Sequence, residues 1–85
     1  MGNRNYEKGR RKEYKVIHEA KDKGHIAFRS AGSHSPIDVV SIDLLERQIR
    51  WVQCKPDTMS ANARQKLLDE NNLLNGGFQA RFEVR

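Results

Sequence analysis

Asp38 stands fifteen residues ahead of the string Gln53-Cys54-Lys55, and these residue types can do phosphodiester chemistry. In an extended strand, positions 53 and 55 project from the same face, so Gln53 can meet a metal ion while Lys55 meets a reacting water. The Asp38 carboxylate, the Gln53 amide oxygen and the backbone carbonyl of Cys54 are oxygen donors of the kind magnesium takes, with coordination places left for waters and a phosphate. A metal held there activates water and stabilises phosphate charge. Lys55 then orients the water or neutralises the phosphoryl group. Glu13 supplies a second carboxylate if the helix carrying it lies beside the sheet with Ile17 turned inward. The plainer alternative is a turn aspartate and a solvated strand-end lysine.

The elements that must position these groups can be read from periodicity. Met1 to Asn5 is a loose polar start, and residues 6–85 form one domain. Glu7 to Lys23 has no proline and places Val16, Ile17 and Ala20 on one stripe, which predicts an amphipathic helix. Gly24 ends it, with Lys21 and Lys23 in the last turn. His25 to Arg29 reads as a strand, Ser30 to Pro36 as a loop, and Ile37 to Ile42 as a second strand with Asp38 near its start. A polar connection holding Glu46 and Arg47 leads to a third strand, Gln48 to Lys55, which Pro56 stops. Asp57, Thr58 or Ser60 can cap a second helix that runs to about Asn75, where Gly76-Gly77 terminates it. Phe78, Ala80, Phe82 and Val84 alternate with polar residues and predict a final half-buried strand. The expected class is α/β in the order αβββαβ, with two helices and one four-stranded sheet.

Composition bounds the partner. A net charge of +5, from 16 Lys and Arg against 11 Asp and Glu, favours a polyanion such as DNA. Arg10, Arg11 and Lys12 just before Glu13, and Arg29, Ser30 and His34 just before Asp38, are the candidate phosphate contacts, though such runs also serve as solvated surface or ordinary polar turns. His18 and His25 are isolated and read as structural or exposed. Trp51 runs in phase with Ile49 and reads as core before base-stacking platform. One cysteine excludes an internal disulfide and, within one chain, a multi-thiolate zinc site, and it fits a reducing, intracellular, soluble setting in cytoplasm or nucleoid. No stretch resembles a signal peptide or a membrane span. With 85 residues there is room for one sheet and two helices but not for a deep core on both faces, so a partner subunit is expected.

Several strings, in order, resemble an archaeal-type Holliday junction resolvase, a branch of the PD-(D/E)xK nuclease superfamily. Tyr6-Glu7-Lys8-Gly9 followed by Glu13 resembles that family's N-terminal helix with its catalytic glutamate. Lys23 to Ser33 resembles its glycine-to-first-strand segment, Pro36-Ile37-Asp38-Val39-Val40 its aspartate strand, and Trp51-Val52-Gln53-Cys54-Lys55 its acidic-x-lysine strand. About the first 55 residues are covered; the rest match in order and pattern alone. The resemblance implies a minimal restriction-endonuclease-like fold with a mixed sheet, catalysis by Glu13, Asp38, Gln53 and Lys55, and Ser33 near the scissile phosphate. It further implies a magnesium cofactor with manganese as substitute, a homodimer, and paired nicks in a four-way DNA junction. Gln53 departs from the resolvase pattern, which has a carboxylate there. Val-Gln-Cys-Lys is similar to restriction endonucleases of the Mrr type, so a different DNA nuclease or nickase, or a DNA-binding module with a decayed site, stays open beside the resolvase.

Overall fold

The computed structural model describes residues 4–30 and 34–85, with side chains from Gly9 onward. Helix α1 runs Arg4–Asp22. It takes in Arg4 and Asn5, which the sequence reading assigns to a loose start, and buries Ile17 and Ala20 as the apolar stripe predicts. Its C-terminus closes in a Schellman motif, in which Gly24 N–H donates to the Lys21 carbonyl at 2.9 Å and His25 N–H to the Ala20 carbonyl at 3.0 Å. Gly24 sits at φ 83°, a left-handed conformation that a side chain would oppose.

Three strands follow: β1 Ile26–Arg29, β2 Val39–Asp43 and β3 Gln48–Val52. They form one antiparallel sheet in the order β1-β2-β3, with Phe28 opposite Val40 and Val40 opposite Trp51. The β2–β3 hairpin turns through residues 44–47. Asp43 Oδ1 accepts from the N–H groups of Leu45 and Glu46, at 3.0 and 3.1 Å, and Arg47 takes a left-handed φ of 57° to bring the chain back into register.

Helix α1 packs over β1 and β2 on one face. Ile17 and Ala20 meet Ala27 and Val39 there, with Val16, Val52 and Cys54 at the edge. Among the described residues only Val39 is both large and fully buried. A core of this size offers few fully dehydrated side chains, so the hydrophobic contribution, at ~25 cal/mol per Å² of apolar area, is modest.

The last third differs from the pattern reading. Helix α2 covers Ala61–Glu70, shorter than the expected run to Asn75, and passes into a 3-10 turn, Asn72–Leu74. Ser60 is the cap, its hydroxyl accepting the Ala63 N–H at 3.1 Å. No residue of α2 is buried. The expected strand from Phe78 to Val84 is not formed, and Phe82 is 91% exposed. Alternation marks a segment able to lie on a sheet, but a strand also needs an edge bound beside it. The sheet of the described residues therefore has three strands, all antiparallel, and β3 keeps an unpaired outer edge. Among the described residues no helix is long and apolar enough to cross a membrane.

Candidate functional site

The segment after β3 brings the candidate residues together. β3 ends at Val52, so Gln53, Cys54 and Lys55 lie just past the ladder and not inside a strand reaching Lys55. Gln53 and Lys55 nonetheless line the same cleft, which fits the same-side expectation. Cys54 turns the other way and packs at the edge of the α1 core.

Asp38 is held against this segment by an irregular pairing. Continuing the ladder from the Val39–Val52 pair would set Asp38 opposite Gln53. Instead the Asp38 N–H donates to the Val52 carbonyl at 2.8 Å, so two residues of one chain segment address one residue of β3 in the manner of a bulge. The carboxylate then reaches the backbone: Asp38 Oδ2 accepts the Cys54 N–H at 2.9 Å. That bond ties the aspartate to the peptide between Gln53 and Lys55. On its other side, the Asp38 carbonyl accepts the Ser30 N–H at 2.9 Å, which fixes the end of β1 beside it.

Glu13 enters from α1, one turn before the buried Ile17. Its Oε1 lies 3.0 Å from Arg29 Nε, with both side chains partly buried. The Glu13 carboxylate raises the Arg29 guanidinium above its ordinary value, chiefly through this hydrogen bond. Arg29 also lies over the Tyr14 ring, 5.4 Å from its centroid. Lys12, one residue earlier, bonds the Lys55 carbonyl and reaches Asp57 Oδ1 at 2.7 Å. The Lys12 ammonium holds the Asp57 carboxyl below the usual carboxylate range. Two of the basic residues assigned to phosphate contact thus have internal partners: Arg29 is engaged with Glu13, and Lys12 staples α1 to the segment after β3.

Cys54 packs at the edge of the α1 core. Burial pushes its thiol up, the negative charges of Asp38 and Glu13 push it further, and Lys12 opposes them. Two carboxylates from different elements therefore act on one side chain. The thiol stays protonated at neutral pH, which suits a small packed group and not a nucleophile. Among the described residues, no three His, Cys, Asp or Glu side chains gather as an ion's ligands would. Arg10 and Arg11 lie on the exposed side of α1, and His34 is exposed at the far end of the loop before Asp38. Ser33 lies outside the described residues.

The partners of Glu13 and Asp38 escape a reading of the sequence. Arg29 is sixteen residues from Glu13, and the pair exists only because α1 crosses β1. One signal was present: Glu13 lies four residues before Ile17, which puts it on the inward-turning side of the helix.

The cleft itself, about 780 Å³, runs along β3 beneath α2 and the 3-10 turn. Gln53 and Lys55 line it together with Arg47, Arg50 and Arg64, and Trp51 with Phe78, ring centroids 6.4 Å apart in an edge-to-face pair, form part of its apolar lining. No family model, curated protein or solved structure matches the chain.

Proposed function

We propose that this chain is a metal-dependent DNA endonuclease of the PD-(D/E)xK type, a homodimer that makes paired nicks in branched DNA such as a four-way junction. The observation that carries this reading is the bond by which Asp38, just before β2, accepts the Cys54 N–H at 2.9 Å, tying that carboxylate to the Gln53–Lys55 segment whose outer members line one cleft. The donor chemistry fits a hard divalent cation. Two carboxylates, an amide oxygen and a backbone carbonyl are all oxygen ligands, and magnesium is commonly held by one or two carboxylates with waters. Glu13, Asp38, Gln53 and the Cys54 carbonyl would hold it. When bound, magnesium or manganese supplies Lewis acidity and a more acidic water.

The chain's own residues do the rest. Lys55, which lines the cleft, faces the phosphoryl oxygens, while Ser30, Ser33, His34 and the α1 residues Arg10 and Arg11 would contact the DNA. Arg29 restrains Glu13 until a cation or a phosphate competes for one member of the pair. One water is consumed per phosphodiester cut, leaving a phosphate end and a hydroxyl end. The finer fold belongs to the same reading. Phe78 to Val84 lies along the free edge of β3 as a fourth strand, and because α2 provides the crossover that strand runs parallel, making a mixed, restriction-endonuclease-like sheet. The setting is intracellular, where DNA is met.

A second reading is favoured by one specific observation. One oxygen of Glu13 is spent on Arg29, one of Asp38 on a backbone N–H, and no larger acidic group surrounds them among the described residues. A DNA-binding module with a weak site fits that arrangement, and Gln53 also suits an Mrr-like nuclease or nickase.

The deciding experiment incubates the protein with labelled four-way junctions, linear duplexes and single strands, with magnesium, manganese or chelator. Paired junction nicks are expected, with Asp38→Asn and Lys55→Ala slowing them about 100-fold or more while binding persists. Gln53→Glu should increase cutting at limiting magnesium and strengthen the rise in melting temperature that magnesium produces. Binding without cutting in either metal leaves the DNA-binding module; equal nicking of linear duplex leaves the Mrr-like reading.

A further inference from the structure

We infer that the cleft along β3 takes an unpaired nucleotide of a DNA strand, with its base against Trp51 and Phe78 and the neighbouring phosphates on Arg47, Lys55 and Arg64. Four cations line the cleft, these three and Arg50, and no Asp or Glu is among the described residues that line it. Its charge selects an anion. Trp51 has the strand phase of a core residue, yet it is 36% exposed, and Phe78 is 56% exposed. Two aromatic rings thus keep surface open inside a basic cleft. That combination holds single-stranded nucleic acid, because every base has a π-face to stack and every nucleotide carries a phosphate.

The cations bracket the rings. Arg47 stands immediately before β3 and Lys55 beyond its end, while Arg64 comes from α2. Arg64 Nη2 donates to the Pro56 carbonyl at 2.7 Å, which braces the guanidinium while engaging one of its five N–H donors. The cleft volume, about 780 Å³, is that of a small-ligand site. A duplex keeps its base faces stacked and shows only edges in its grooves, so it offers nothing for the rings to cover. An acidic peptide would satisfy the cations but brings no planar face. If Phe78 to Val84 pairs along the β3 edge as proposed above, it extends the sheet in its own plane and leaves the face carrying Trp51 to the cleft. The inference rests on the nuclease reading for its choice of DNA: the bond to be cut lies at Lys55, and the nucleotide beside it, unstacked at a branch point, enters the cleft.

Trp51 is the chain's one tryptophan, so its fluorescence reports on this cleft. Titration of the full chain in chelator with an oligothymidylate of about ten nucleotides should quench it saturably, with a blunt duplex of that length binding at least about tenfold more weakly. Affinity should fall with salt with a log–log slope of magnitude about 2, from three phosphate contacts at about 0.7 each. Phe78→Ala, beyond the last regular element, should weaken binding about fivefold or more. Arg64→Gln should weaken it about fivefold and lower the slope by about 0.7, whereas Lys66→Gln, the same charge on the same helix but outside the cleft lining, should change it less than about twofold. Arg47→Asn suits the left-handed φ of 57° better than arginine does, so binding should weaken while the melting temperature holds or rises, a pair of effects that a structural role would not give. Because chelator prevents cutting, a junction assay without nicks leaves a positive titration standing, and nicking without quench overturns this inference alone. No saturable quench at low salt, a duplex that quenches as well as the single strand, tighter binding of the matching oligouridylate, or Arg64→Gln and Lys66→Gln acting alike would each overturn it.

Discussion

Asp43 shows how a single carboxylate can stabilise this small fold. Its side chain accepts two backbone N–H groups of the β2–β3 turn and lies 3.3 Å from His25 Nε2, which joins the turn to the start of β1. The bond from the Glu46 amide is the first cause of a carboxyl held below its ordinary value, with His25 and the Leu45 amide adding to it. A carboxylate depressed in the folded chain stabilises it above the unfolded value, about 3.9, and that contribution is lost as pH falls through the folded value. The melting temperature of wild type should therefore exceed that of Asp43→Asn by a few degrees near neutrality, and the gap should close as pH drops from about 4 toward 2. A gap unchanged down to the lowest pH would show that the charge of Asp43 is not its source. Asp43 also marks a limit of pattern reading. A strand-end aspartate before a turn is recognisable as a turn residue, but His25 is eighteen positions away and becomes its partner only through the β1–β2 pairing.

The elements divide into a fastened set and a loose one. α1, β1 and β2 share the core, and the Lys12 staple and the Asp38–Cys54 bond hold the start of α2's connection to them. α2 depends on its Ser60 cap and buries nothing, while Gly76 onward carries no regular structure. An exposed β edge beside an alternating segment is a pairing waiting for a register. If residues 79–84 join β3 as proposed, their amides should exchange with solvent at least about tenfold more slowly than in an unstructured peptide, and proline at Ala80 should abolish that protection. Protection confined to β1–β3 would leave the sheet three-stranded. In the sequence, helix α1, the glycine that ends it and the three strands were all legible because each has its own period and punctuation. The end of β3 was not, because Gln53 to Lys55 keeps strand-like alternation after the ladder has stopped.

At the scale of the molecule, the charge excess becomes a binding property only where the cations remain available to a partner. Arg29 and Lys12 are engaged internally, so the phosphate-neutralising group is smaller than the +5 balance suggests. Junction affinity should fall with salt with a log–log slope of magnitude about 2–4, and Arg11→Gln should reduce that slope by about one. A slope near zero would remove phosphate contact as the basis of binding. The same economy bears on Glu13, whose charge is offset by the Arg29 guanidinium 3.0 Å away.

Sequence alone determined the kinds and order of the elements from α1 to α2, the loop and turn punctuation, and the short set of residues worth watching, because periodicity and turn chemistry are local properties of the chain. Asp38 and the Gln53-Cys54-Lys55 string were visible on that basis. Tertiary structure decided what those residues touch. It bulged the ladder so that Asp38 bonds the Cys54 backbone, brought Glu13 against Arg29, and turned Lys12 inward. It also left Phe78 to Val84 unpaired although the outer edge of β3 is free, since pairing depends on long-range register that no local pattern encodes. Asp38 thus meets the Gln53-Cys54-Lys55 segment only through the pairing of β2 with β3, because that contact depends on register and not on any local pattern.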